Sequence, residues 1–430
     1  MDTIRVGLLG FGVVGAATYR ILDQHRDELE ARAGARIQVT RIAVQDPSKR
    51  RDVEVAAGIM TGDASEVVED PSIQIVVEAI GGVDPARDLI SRAIAGGKHV
   101  VTANKELLST VGAAIFQAAG EAGVDVLFEA AVGGGIPIIR PLRESLAGDR
   151  VHRVMGIVNG TTNFILTRMS ETGGSFEEAL AEADRLGYTE ADPSADVDGH
   201  DAAAKLSILA TLAFGSTVVA SDIPREGITR VTAADISAAH ELGYEVKLLA
   251  VAESEGGRIA ARVHPAMLPK THPLAAVRDV FNAIFVEGEN VGELMFLGRG
   301  AGGAPTASAV ASDVVEIARN IVSGGRSPLS AGYARVAAIR PPDEAPVRYY
   351  LVLSVADQPG VLATVAGVFA HQGISISSVR QEGPGDQATL VLITHAAGEG
   401  RHQATFSELE SLDVVKEIAS KMRVEGTSEA

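Results

Sequence analysis

Strands are predicted at 4–9, 37–44, 73–80 and 99–102; the near-continuous apolar run at 73–80 lacks the alternation of a half-exposed sheet and reads as a strand covered on both faces. Helical spacing follows the first strand, through Tyr19, Ile21 and Leu22, and fills 86–95 after the third. With another strand at 124–129, this alternation of β and α segments predicts a doubly wound sheet. The pattern changes after Arg140. Strands at 154–158, 246–252 and 259–263, a helix capped by Ser175 and a helix over 307–322 fit an α+β second domain. Within it, 187–214 opens as an acid-rich loop carrying Glu190, Asp192, Asp196 and Asp198. It turns at Gly199 into a helix whose Leu206, Leu209, Leu212 and Ala213 mark one buried face. Glycines and prolines at 323–346 read as a linker. Beyond it come a strand at 349–355, a helix running to His371, strands at 374–380 and 388–394, and a helix over 407–422. That order suits a small ferredoxin-like module.

Size and charge narrow what such a chain can do. At 430 residues it exceeds one compact core, so two or three domains are expected. A net charge of −18 argues against nucleic acid as a partner. No cysteine is present, which excludes disulfides and thiolate chemistry and suits a reducing cytoplasm. The charge-free segment 206–221 is short for a membrane span and is interrupted by Gly215, Ser216 and Thr217, so no membrane association is expected.

The first strand runs into Gly10-Phe11-Gly12-Val13-Val14-Gly15, and a helix follows. Strand, G-x-G-x-x-G and helix in that order form the dinucleotide fingerprint. Gly10 permits the tight turn, Gly12 lets backbone approach a pyrophosphate, and Gly15 lets the helix pack on the strand. The second strand ends in Ala43-Val44-Gln45-Asp46, with Lys49, Arg50 and Arg51 close behind. The tip has no acid squarely at the ribose and cations follow it, which favours NADP, with NAD as the alternative. Lys105 lies just past the strand 99–102, at the sheet edge where such folds bind ligands. The turn after Glu129, Val132-Gly133-Gly134-Gly135-Ile136, exposes carbonyls suited to a monovalent cation or simply brings backbones together. Asn159-Gly160-Thr161-Thr162-Asn163 reads as a dense polar turn, and the glycine turn 299–306 opens a helix facing the cofactor or returning onto the first domain. Asp201 and Lys205 sit one helical turn apart. Spacing alone leaves three readings: a solvated ion pair, a metal site for which only His200 is near, or a lysine proton donor oriented by the aspartate.

Taken together, these stretches resemble homoserine dehydrogenase over residues 1 to about 330. The resemblance rests on GFGVVG at 10–15, TANK at 102–105, EAAVGGGIPII at 129–139, NGTTNFIL at 159–166, GYTEADPSADVDGHDAAAKLSILA at 187–210 and GRGAGGAPTASAVASD at 298–313. DQPGVL at 357–362 and GISI at 373–376 resemble an ACT domain. No kinase-like segment precedes the fingerprint, so the monofunctional form is expected.

The resemblance implies a Rossmann-like domain at 1–130 with 305–325 returning onto it, a catalytic and dimerisation domain at 131–304, a linker at 326–346 and an ACT domain at 347–430. It implies NAD(P)H-dependent reduction of L-aspartate 4-semialdehyde to L-homoserine, feeding threonine, methionine and isoleucine biosynthesis, in a homodimer or homotetramer. Lys205 matches the proton donor, Asp201 its neighbour, Lys105 the lysine between cofactor and substrate, and Glu190 the residue holding the substrate amino group. Gly303 joins Gly10 to Gly15 and Lys105 at the cofactor, while oxygens of Glu129, Val132, Gly134 and Ile136 match a structural sodium site. The ACT domain implies an amino-acid effector, threonine first. Another reductase of a small polar aldehyde, or a non-catalytic dinucleotide-binding sensor, are the competing readings.

Overall fold

A computed structural model describes residues 2–327, 336, 338–383 and 388–426, so residues 328–335 and 337 of the linker expected at 326–346 lie outside the described residues. Strands Thr3–Leu9 (β1), Arg36–Ala43 (β2), Met60–Thr61 (β3), Ile75–Glu78 (β4), His99–Thr102 (β5) and Val126–Leu127 (β6) form one parallel sheet in the order β3-β2-β1-β4-β5-β6. Every residue of β4 is buried, which is why that run shows no alternation. The strand order reverses between β1 and β4, and a crevice opens at their carboxyl ends.

Two strands are shorter than expected. The run 73–80 is extended only over Ile75–Glu78, because the Glu78 carboxylate takes the N–H groups of Ile80 (2.8 Å) and Gly81 (3.0 Å) and folds the chain into a turn. The run 124–129 keeps only Val126–Leu127, and Glu129 instead opens a 3₁₀ turn. The helix Lys105–Ala122, absent from the sequence reading, starts where Asn104 accepts the N–H of Leu107.

The second sheet has eleven strands, nine of them in one continuous path. Val151–Ile157 (β7), Tyr244–Glu255 (β8), Arg258–Pro269 (β9), Phe281–Gly288 (β10) and Gly292–Arg299 (β11) run antiparallel in the order β11-β10-β7-β8-β9. β10 and β11 were not anticipated. β9 continues through His264 and Pro265, where a break was expected. Pro265 falls on the strand edge between a bridge at Val263 and the next pair at Ala266, so its missing N–H breaks no ladder there. Likewise 159–163 is no turn: Asn159 caps the helix Gly160–Thr172, accepting from Thr162 at 2.9 Å.

The short strand Ala338–Ile339 (β12) pairs β9, and the C-terminal module then adds Pro346–Val355 (β13), Ile376–Glu382 (β14), Thr389–Thr394 (β15), Ala397–Gly398 (β16) and Val415–Val424 (β17). The expected helix at 407–422 is a helix at Glu399–Glu410 followed by β17. The register of β17 on β13 slips twice, past Ala419 and past Lys416, and these bulges erase the two-residue alternation that marks a strand. β17 also pairs in parallel with β9, Arg423 opposite Ala266 and Val424 opposite Met267, so one sheet passes from the catalytic module into the C-terminal one. The C-terminal module keeps its own core, around Leu351, Val365, Phe369 and Leu392.

Helix His200–Phe214 lies on this sheet and against Lys105–Ala122. It has no single buried face: every residue from Asp201 to Thr211 is buried, because strands cover one side and the first domain the other. Helix Gly303–Ser323 returns to pack on Val13–Gln24. Among the described residues no helix is long and apolar enough to cross a membrane.

Candidate active site

The turn after β1 has the shape its glycines require. Gly10 has a φ of +97°, and a Cβ there would stand 2.6 Å from the Ala79 carbonyl oxygen. A Cβ on Gly15 would meet the Gly10 carbonyl oxygen at 2.3 Å, whereas Gly12 faces open space. The helix Val13–Gln24 begins at once, with Val13 exposed and Phe11 buried. Gly303, first residue of its own helix, sits so close that a Cβ would be 2.9 Å from Val13. Two helix N-termini thus converge beside the open side of Gly12, a place that attracts phosphate. A cavity of about 670 Å³ continues from Gly10, Phe11 and Gly12 past the end of β2 to Lys49 and Arg51. Asp46 also lines this space, with its carboxylate engaged locally. Its carboxylate accepts from the N–H and hydroxyl of Ser48 (2.9 and 2.6 Å), bonds that hold its pKa below the usual range. A nicotinamide dinucleotide fits these features, and the cations on the cavity wall are Lys49 and Arg51, the latter donating to the Lys49 and Asp46 carbonyls.

The chemistry gathers two strands along the same sheet edge. Glu78 at the end of β4 accepts the Thr102 hydroxyl at 2.5 Å, Thr102 accepts the Asn104 N–H, and Asn104 donates to the Gly82 carbonyl. This buried chain fixes the start of the next helix and so the root of Lys105. Lys105 Nζ reaches across to Asp201 Oδ1 at 2.6 Å, while Lys205 Nζ holds Oδ2 at 2.7 Å and donates to the Val158 carbonyl at 2.7 Å. Asn159 Nδ2 donates both to Asp201 (2.9 Å) and to Asp196 (2.7 Å). Lys105 belongs to the first module and the rest to the second, so the cluster closes the gap between them. Burial opposes the charge on Asp201, but Lys205 and Lys105 more than offset it and its pKa is lowered. Burial likewise opposes the charge on Lys105, and Asp201 reverses the outcome, so its pKa is raised. Asp196, desolvated and beside Asp201, is raised.

Not every expected residue joins this cluster. Glu190 is exposed on the loop before Ser194–Val197, with no ion pair to either lysine. Glu129 turns inward: its carboxylate accepts the N–H groups of Ile138 (2.7 Å), Ile139 (2.8 Å) and Arg140 (2.9 Å). The three-glycine turn packs on the second glycine turn, since a Cβ on Gly134 would be 2.6 Å from the Gly300 carbonyl oxygen. Among the described residues no three His, Cys, Asp or Glu side chains gather to hold a metal ion. Conversely, the sequence marks Asn159 only as part of a polar turn and Asp196 only as part of an acid loop. Nothing in their spacing connects them to Asp201, because the contact is made between separate elements.

Known proteins match this chain over nearly its whole length. Family models described as "Homoserine dehydrogenase, NAD binding domain", "Homoserine dehydrogenase" and "ACT domain" match residues 10–129, 137–315 and 349–414. The homoserine dehydrogenase of Corynebacterium glutamicum is 50% identical over 99% of this chain and 96% of its own length. That of Mycobacterium tuberculosis is 49% identical over 99% and 98%. A crystal structure of a homoserine dehydrogenase from Thiobacillus denitrificans, 42% identical, covers 99% of both chains with a TM-score of 0.93. A hyperthermophilic archaeal homoserine dehydrogenase in complex with NADPH, 31% identical, covers 73% of this chain and 97% of its own with a TM-score of 0.62. The chain therefore belongs to the homoserine dehydrogenase family of NAD(P)-dependent oxidoreductases, in the form that carries a C-terminal ACT domain.

Proposed function

We propose that this enzyme reduces L-aspartate 4-semialdehyde to L-homoserine with NADPH, Lys205 delivering the proton. The observation that carries the assignment is the meeting of Lys105 and Lys205 on Asp201, on the sheet edge that also carries the nucleotide turn. The dinucleotide, when bound, supplies the hydride. As it arrives at the aldehyde carbon, negative charge builds on the carbonyl oxygen. An ammonium has three N–H donors; Lys205 directs one to Asp201 and one to Val158, which leaves one for that oxygen. Lys105, with one donor on Asp201, has two left for the same charge. Glu190 is assigned to the substrate amino group, which it would reach by movement of its exposed loop.

Lys49 and Arg51 on the wall of the nucleotide cavity favour a 2′-phosphate, hence NADPH over NADH. A sodium ion at Glu129, Val132, Gly134 and Ile136 fits only as a carbonyl-oxygen site, since the Glu129 carboxylate is taken by three N–H groups. The division into 1–130 with 305–325, 131–304, 326–346 and 347–430 is supported at its first boundary by the separate parallel sheet and the returning helix, while one sheet runs through the last three segments. Met295 and Leu297, exposed on the edge strand β11, suit contact with a second copy, and the absence of cysteine suits the cytoplasm. The ACT domain is assigned to feedback by threonine through the turn 357–362.

Lys205→Ala is expected to cut turnover by about 10²–10⁴ while NADPH binding, followed by fluorescence, is retained. Near-normal turnover would remove Lys205 from the role. Homoserine oxidation measured with each dinucleotide, with and without threonine, is expected to run faster with NADP and to be inhibited by threonine. Equal rates with both dinucleotides would remove the assignment to Lys49 and Arg51, and indifference to threonine would remove the effector.

A further inference from the structure

A second cavity, of about 240 Å³ and open to solvent, lies away from the catalytic cleft, where the loop 222–230, strand β9, the segment 339–345 and the ACT residues Glu399 and Arg423 come together. Five guanidinium groups line it, from Arg225, Arg230, Arg262, Arg340 and Arg423. Three are matched inside the fold. Arg262 meets Glu425 at 2.7 Å, Arg340 meets Glu255 at 2.8 Å, and Arg423 meets Glu226 and Glu399, each at 2.9 Å. The other two are not. Arg225 makes no ion pair among the described residues, and the nearest carboxylate to Arg230 is Glu226 at 4.0 Å, with 85% of the Arg230 side chain exposed. Arg262 also keeps a buried Nε without a hydrogen-bond partner. Asp222 lines the cavity as well, yet Arg225 and Arg230 remain the two guanidinium groups in it with no ion pair shorter than 4.0 Å among the described residues. Forked guanidinium donors of this kind suit a planar, two-oxygen acceptor. Besides Asp222, Glu226, His264 and Glu399, the wall has an apolar part from Pro224, Ala260, Val263, Ile339, Pro342 and Ala345. That part favours an aliphatic body over the fully hydrated surface of inorganic phosphate.

We propose that this interdomain cavity is a binding site for a small aliphatic carboxylate, its carboxyl group held by Arg225 and Arg230 and its carbon chain against Ile339 and Pro342. No residue of the catalytic cluster takes part, so the site stands or falls independently of the assignment of Lys205.

Butyrate serves as the probe, titrated into the full-length enzyme by calorimetry, with inorganic phosphate as the comparison. Butyrate can also enter the catalytic cleft, so the deciding readout is the response to Arg225→Ala and Arg230→Ala. Both side chains are exposed, and circular dichroism checks that each variant is folded. The expected result is saturable butyrate binding to the wild type that weakens at least about tenfold in either variant, and phosphate binding weaker than butyrate. Absence of saturable butyrate binding, equal affinity in both variants and wild type, or phosphate binding as tightly as butyrate would overturn the proposal.

Discussion

Asp201 carries more of the site than its short side chain suggests. Among the described residues it is the only carboxylate joined directly to both Lys105 and Lys205, and it is almost wholly buried. Replacing it by asparagine leaves two ammonium groups close together with their shared counter-charge gone. One of them then gives up its proton more easily. Asp201→Asn is expected to lower turnover by about 10²-fold or more and to move the alkaline limb of the pH–rate profile to lower pH, read from steady-state rates across pH. The unpaired charge also costs about 3–5 kcal/mol of stability, which shows as an earlier denaturant midpoint. An unchanged alkaline limb would mean that Asp201 does not set the protonation of the lysines. The spacing of Asp201 and Lys205 was visible in the sequence, and so was the position of Lys105 past a strand. That both lysines share the Asp201 carboxylate was not, because Lys105 opens a helix of the first module while Asp201 and Lys205 lie on a helix of the second.

Among the elements, β17 has the largest consequence for how the modules are joined. Its Arg423 stacks over Tyr349 (5.3 Å to the ring centre), pairs with Glu399 inside its own module and reaches Glu226 in the neighbouring one. Glu226 stands in a loop whose next residues touch the acid loop of the site. Ile228 donates to the Val197 carbonyl at 2.8 Å, and a Cβ on Gly227 would meet that same oxygen at 2.2 Å. Arg423→Ala removes one cation from two carboxylates and is expected to cost about 3 kcal/mol, seen as a lower denaturant midpoint. Arg423→Lys is expected to recover only part of it, since an ammonium lacks the flat fork that serves both partners. A midpoint equal to the wild type in the alanine variant would show that the bridge carries no net stabilisation. β17 is also the element the sequence misrepresented, since its two bulges break the alternation by which strands are recognised.

At the scale of the molecule, acid is the condition that should separate the modules. Glu425 is fully buried, and burial alone would raise its pKa. Arg262, His264 and Arg153 outweigh this, and the group is held well below the usual carboxylate range. A carboxylate with a depressed folded-state pKa contributes stability that is complete above its unfolded value and is lost as pH falls through the folded one. Glu425 and Asp201 both act in this direction, so stability is expected to decline as pH drops below about 4. Glu425→Gln is expected to be less stable than wild type at pH 7, with the gap closing in acid, as measured by thermal unfolding across pH. A gap that stays constant would mean that Glu425 titrates alike in folded and unfolded chains.

The sequence by itself determined the parts of this enzyme that depend on local physics. The parallel β–α alternation, the glycine turn at 10–15, the cap at Ser175 and the acid loop running into a helix all follow from backbone sterics and from apolar spacing over a few residues. Only the tertiary structure decided which polar groups meet. It brought Asn159 and Asp196 to Asp201, turned Glu129 onto three backbone N–H groups, left Glu190 on the surface and continued one sheet from β9 into β17. Those outcomes depend on contacts between residues far apart in the chain, and the spacing of residues along one segment carries no information about what a neighbouring segment will present to it.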